Sequence, residues 1–180
     1  MWRLVDGDFE AVSPAWNVVA LAATDFGLFA ATEEGLYSYR GDRWHRRSLG
    51  DSSDALALPT ALYYRYPFLY VGTGNELLTY DGGRWEHFAL GAGVSALGWH
   101  NARLYVGCDD GSLVTLEGTV LEQVIAPDSS PARAILRYDG RLYVATDQGL
   151  YRKRHGRFEP IELAEPTESE PETEPIASLL

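Results

Sequence analysis

A unit of about 38 residues, the period typical of stacked-repeat folds, recurs four times along the chain and leaves few architectures open. Its clearest version is the stretch LYVGTGNELLTYDGGRWEHFAL, from Leu69 to Leu90. Anchored on Leu28, Leu69, Leu104 and Leu142, the copies are spaced by 41, 35 and 38 residues. One residue after each anchor stands an aromatic: Phe29, Tyr70, Tyr105 and Tyr143. Seven before stand Leu21, Leu62, Leu97 and Ile135, and sixteen after stand Trp44, Trp85, Val120 and Phe158. On this reading the four copies align without a gap.

Each copy holds four short apolar runs broken by turn residues, the pattern of strands. In the second copy these strands, A to D, fall roughly at 61–65, 69–73, 77–80 and 84–90. A and B are apolar at consecutive positions, which signals cover on both faces. The B-to-C turns of copies one, three and four end on Gly35, Gly111 and Gly149. The C-to-D turns are Arg40-Gly41, Asp81-Gly82, Glu117-Gly118 and His155-Gly156. Glycine at these places suits tight antiparallel hairpins. Four consecutive antiparallel strands per unit imply an all-β fold, a single β-propeller of four-stranded blades.

The propeller is expected over residues 1–163. Residues 1–12 align with strands C and D, placing Phe9 where Trp44 and Trp85 fall, so the chain opens with half a unit. Four repeats follow, from about 17 to 163. Residues 164–175, AEPTESEPETEP, form an acidic Pro/Glu-rich linker too polar to bury a core. Residues 176–180 resemble the start of a strand A. Together the termini predict a fifth blade, closing the ring and covering its open sheet edges. The alternative is a four-bladed ring.

Several function classes are disfavoured by composition. The formal net charge is −11, which repels nucleic acid and anionic membranes. No run approaches the roughly 20 apolar residues of a membrane span. The start MWRLVDGDFE lacks the features of a secretory signal, and the lone Cys108 suits a reducing compartment. The expected location is therefore cytoplasmic.

Tyr70-Val71-Gly72-Thr73, the glycine-bearing turn, the Leu-x-x-Tyr strand and Asp-Gly before an aromatic resemble the propeller repeats of two-component-regulator sensors. The segments 29–37 (FAATEEGLY) and 143–151 (YVATDQGLY) match that pattern best. The composition also resembles small archaeal (haloarchaeal-like) β-propeller families. The resemblance implies the fold and carries over no catalytic residue.

The B-to-C turns bear Glu33, Glu34, Asn75, Glu76, Asp109, Asp110, Asp147 and Gln148. Equivalent loops share one rim, so these form an acidic ring that could hold a cation or a basic partner, although such residues are also ordinary turn formers. Trp99 and His100, at the end of the third strand A, join them as candidate rim residues, with Tyr63, Tyr64 and Tyr66 as an aromatic patch. No histidine shows metal-ligand spacing, and no residue set points to catalysis, a cofactor or a metal. Cys108 occupies a position held by Thr32, Thr73 and Thr146 elsewhere, so it reads as a small buried strand residue. The expected function is a non-enzymatic interaction or scaffold module whose partner is another protein. The alternative is a propeller that binds a small ligand or cation at the acidic rim.

Overall fold

The computed structural model describes residues 2–5, 8–11, 17–50 and 58–162, the first two stretches as backbone only. Strands β1 (Trp2–Val5) and β2 (Asp8–Ala11) form a hairpin that pairs with no other strand among the described residues. Sixteen further strands make four antiparallel sheets in chain order. Blade 1 holds β3 (Val18–Thr24), β4 (Gly27–Thr32), β5 (Gly35–Arg40) and β6 (Arg43–Arg47). Blade 2 holds β7 (Ala61–Arg65), β8 (Phe68–Gly72), β9 (Glu76–Tyr80) and β10 (Trp85–Ala89). Blade 3 holds β11 (Val94–His100), β12 (Arg103–Cys108), β13 (Leu113–Glu117) and β14 (Val120–Val124). Blade 4 holds β15 (Ala132–Tyr138), β16 (Arg141–Thr146), β17 (Leu150–Arg154) and β18 (Arg157–Pro160).

The blades pack through their first strands: β3 on β7, β7 on β11 and β11 on β15. The described residues thus form four blades, not the five expected. The strand expected at 176–180 and the linker at 164–175 lie outside the described residues. In the hairpin β1–β2, Leu4 pairs with Phe9.

The apolar runs become three cores, one per joint between blades. Phe29 and Leu36 of blade 1 pack with Leu69, Val71 and Leu78 of blade 2. Tyr70 and Leu77 of blade 2 pack with Val94, Leu97 and Leu104 of blade 3. Tyr105 and Leu113 of blade 3 pack with Ile135, Leu142 and Val144 of blade 4. Each blade therefore has a leading face, carrying the aromatic of strand B, and a receiving face, carrying the anchor leucine. Burying one such side chain contributes roughly 1.5–3 kcal/mol. Hydrogen bonds lock the joint between blades 2 and 3: Val94 N donates to Thr73 O (2.8 Å) and Thr60 Oγ1 to Val94 O (2.6 Å).

The threonine ending strand B clamps the B-to-C turn. Thr32 Oγ1 donates to Gly35 O (2.9 Å) and accepts from Glu34 N (3.1 Å). Thr73 and Thr146 repeat the donation to Glu76 O and Gly149 O. Blade 3 has Cys108 there, and its turn is one residue longer, closed by Cys108 N to Ser112 O (2.9 Å). The gapless alignment is corrected at this point. Leu116 pairs with both Leu104 and Leu121, so Leu121, not Val120, stands where Trp85 does in blade 2. A one-residue slip in a strand exchanges its faces. Val120 accordingly lies 56% exposed, while Leu121 packs on the core.

Candidate functional site

The expected rim residues separate into two groups. Strand A runs to one rim and strand B returns to the other, so the A-to-B and C-to-D turns share a rim opposite the B-to-C turns. Trp99 and His100 end β11 at the first rim. The acidic turns all lie at the second.

On the acidic rim the carboxylates have local partners, while Asn75 and Gln148 are held through their backbone. Glu33 Oε1 accepts from Asn17 Nδ2 (2.6 Å), and Glu34 Oε2 accepts from the Tyr37 hydroxyl (3.4 Å). Asn75 uses its backbone carbonyl, which accepts from Leu90 N (3.0 Å). Glu76 is buried, with His87 Nδ1 at 3.5 Å. Asp109 Oδ1 accepts from Gly93 N (3.0 Å), tying the turn to the residue that precedes β11. Asp110 Oδ1 accepts from Ser112 N (2.8 Å), and hydrogen bonds from Ser112 hold its carboxyl below the usual range. Asp147 receives two parallel bonds of 2.7 Å from Arg133, whose guanidinium lowers the carboxyl pKa. Gln148 N donates to Thr146 Oγ1 (3.1 Å). Among the described residues no group of three acidic, histidine or cysteine side chains is placed to hold a metal ion. The carboxylates clamp turns and adjoining segments of their own blades.

His100 and Cys108 do not meet. They lie at opposite ends of the β11–β12 ladder, where His100 pairs with Arg103 and Cys108 with Val94. Burial pushes the Cys108 thiol pKa up, the opposite of an activated nucleophile. His100 is buried beside Tyr105, and its Nδ1 finds no hydrogen-bond partner among the described residues. Burial lowers its pKa, helped by the positive charges of Arg137 and Lys153.

The aromatic group makes a cleft. Between blades 2 and 3, at the rim of the A-to-B turns, a cavity of about 190 Å³ is walled by Tyr66, Phe68, Tyr70 and Trp99, with Leu116 and Glu86 among its other lining residues. The rings are tilted to one another: Phe68 to Tyr70 by 55° at 6.3 Å, and Tyr70 to Trp99 by 41° at 6.1 Å. Desolvation pushes the Tyr70 hydroxyl up to about 12, with Tyr63 adding to the shift and Arg65 opposing it. The Arg65 guanidinium lies 5.8 Å from the centre of the Trp99 ring, a cation–π contact. Tyr66 is 74% exposed.

The other expected aromatics go elsewhere. Tyr63 packs on the joint between blades 2 and 3, and Tyr64 turns its ring edge to Phe26 of blade 1 (5.7 Å). Pro67, Phe68, Glu86 and Leu116 were not foreseen as cleft residues. The Tyr-Pro-Phe run in the A-to-B turn is a signal that could have found the first two. Glu86 on an outer strand carries no such signal.

No protein-family model matches the sequence, and no curated protein matches it. Solved structures do. The extracellular domain described as that of a hybrid two-component system from B. thetaiotaomicron is 24% identical, with a TM-score of 0.68. The match covers 86% of this chain and 22% of that chain, so this chain spans about a fifth of that domain's length. The RRP9 WD40 repeats are 14% identical over 78% of this chain and 48% of that one, TM-score 0.61. A chain of the mitotic checkpoint complex is 17% identical over 80% of this chain and 54% of that one, TM-score 0.58. These likenesses define the class: a β-propeller-like repeat fold. The expected archaeal affiliation is not among them.

Proposed function

We propose that the protein is a non-enzymatic interaction module of the cytoplasm, and that it receives a segment of another protein in the aromatic cleft between blades 2 and 3. The observation that carries this reading is the cleft itself: three tilted rings, an exposed Tyr66 at the mouth and the exposed carboxylate of Glu86. Large aromatics are favoured anchors at interfaces. Ring faces beside a carboxylate suit a basic or aliphatic-basic side chain. Membership of a similar structure in a multi-protein complex supports the same reading.

Affinity purification from the native host with wild type and with Trp99→Ala or Glu86→Arg tests it. A defined protein should co-purify with wild type and be lost from both variants. Equal recovery with all three overturns the cleft as the site. Recovery of a bound metal or metabolite with no protein overturns the module reading. Cell fractionation tests the location.

A further inference from the structure

Blade 4 gathers arginines on one face. Directly opposed residues of an antiparallel pair share a side of the sheet. Tyr143 pairs with Arg152, Arg152 with Glu159, and Arg154 with Arg157. Alternate residues along a strand also share a side, so Arg154 lies on the side of Arg152, and Arg141, two before Tyr143, joins them. The leading face of blade 4 thus carries four arginines, with Glu159 as the carboxylate among them. On blades 1 to 3 the aromatic of this face, Phe29, Tyr70 or Tyr105, is buried in a joint, whereas Tyr143 is half-buried. Arg141, Arg154 and Arg157 are exposed. Glu159 Oε2 stands 3.8 Å from Arg152 Nη2 and 3.9 Å from Arg154 Nη1. Arg141 and Arg157 have no ion-pair or hydrogen-bond partner among the described residues, and the buried Arg152 Nε has no hydrogen-bond partner there. At the His155-Gly156 turn a cavity of about 360 Å³ is lined by Arg141, Arg152, Lys153, Arg154 and His155, all basic residues. This face belongs to a chain whose net charge is −11.

We propose that the chain's own acidic segment, residues 165–174, lies across this face as a strap. The segment is outside the described residues, and its charge, spacing and point of departure carry the argument. It holds five glutamates and no basic residue. Glu168, Glu170, Glu172 and Glu174 recur at every second position, the spacing that puts side chains on one side of an extended chain. Arg152 and Arg154 are spaced likewise along β17. The departure point is close by: Ile161 N donates to Leu150 O (2.8 Å), so the chain leaves blade 4 beside the start of β17. Each further residue reaches up to about 3.3–3.6 Å, which brings the glutamates along the whole of that five-residue strand. The opposite face of blade 4 is closed by blade 3, against which Leu142 and Val144 are buried, so the leading face is the side left to cross. Single exposed ion pairs are weak. Here several act at once, and the tether keeps the segment at a high effective concentration. This inference is independent of the aromatic cleft between blades 2 and 3.

A nitroxide on Thr173→Cys in the isotope-labelled full chain tests it by nuclear magnetic resonance. Cys108 is buried, and mass spectrometry should show one label per chain. Amide signals of residues 152–157 should be lost at about 0.01 M salt, where charges are felt over about 30 Å, and return at about 1 M, where the range is about 3 Å. Arg141→Glu combined with Arg154→Glu should keep those signals at low salt. Both side chains are exposed, so circular dichroism should show the variant folded. Changing the five glutamates to Gln, which alters no residue of a blade, should keep the signals as well. Signal loss that survives 1 M salt or either set of variants overturns the proposal. So does loss centred on another surface, or no loss anywhere. Loss in an isotope-labelled chain caused by a separate spin-labelled copy also overturns it, because the contact would then run between molecules. A single-stranded oligonucleotide that binds residues 152–157 of the wild type in place of the segment overturns it too.

Discussion

Ile135 of blade 4 fills the space that a side chain at Gly98 of blade 3 would occupy. A Cβ built at Gly98 would overlap Ile135 Cγ2 and approach the Ile135 carbonyl oxygen to 2.5 Å. The same closeness recurs at the preceding joint, where a Cβ at Gly72 would come within 2.5 Å of Val94 Cβ. At both joints a glycine of one blade meets the first strand of the next.

Gly98→Val should therefore destabilise the fold by about 1–3 kcal/mol or more, the cost of overpacking a filled core. Urea unfolding reads this directly. Gly74→Ala is the control, because nothing lies within 4 Å of its added Cβ. A midpoint unmoved by Gly98→Val would refute the close approach.

Leu104→Ala empties a site buried in the joint between blades 2 and 3. It should cost about 2–5 kcal/mol, the usual range for a buried Leu→Ala change. Leu28→Ala makes the same chemical change in blade 1, where the residue is half-buried. Leu28→Ala should cost distinctly less. Equal costs would mean that Leu28 is packed as closely as Leu104.

His100 gives stability a dependence on pH. Its folded pKa lies below the ordinary 6.5, chiefly because burial disfavours the imidazolium. The unfolded chain therefore binds the proton more readily. The contribution is fully present above pH 6.5 and is lost as pH falls through the lower, folded value. Urea midpoints should drop below pH 6.5 more steeply for wild type than for His100→Phe. Parallel pH profiles would show that His100 titrates freely.

Cys108 should resist thiol reagents in the native state. The side chain is buried and its pKa is raised, so little thiolate is presented to solvent. Labelling should go to completion only in denaturant. Rapid native labelling would contradict the packing of β12 against its neighbours.

The strands and turns were legible because both signals are local. A run such as Leu69-Tyr70-Val71 announces a strand covered on both faces, and His155-Gly156 takes the two positive φ angles, 48° and 81°, of a tight hairpin. The slip in blade 3 was less visible. It goes with the extra residue between Cys108 and Ser112, where Asp110 Oδ1 accepts a turn N–H as the Thr32 and Thr73 hydroxyls do in their blades. The surroundings of equivalent leucines were not legible at all. Leu21 and Leu97 occupy the same place in their repeats, yet Leu21 is exposed and Leu97 is buried against blade 2. The cleft failed for a related reason, since its walls come from two blades and its carboxylate from an outer strand that looks merely solvated.

Because each blade offers its successor the surface it takes from its predecessor, the joint is indifferent to how many units precede it. Gene duplication could append or remove a whole unit without inventing any new contact. Growth by copying would preserve every existing core, and selection would then act on how the two ends are sealed.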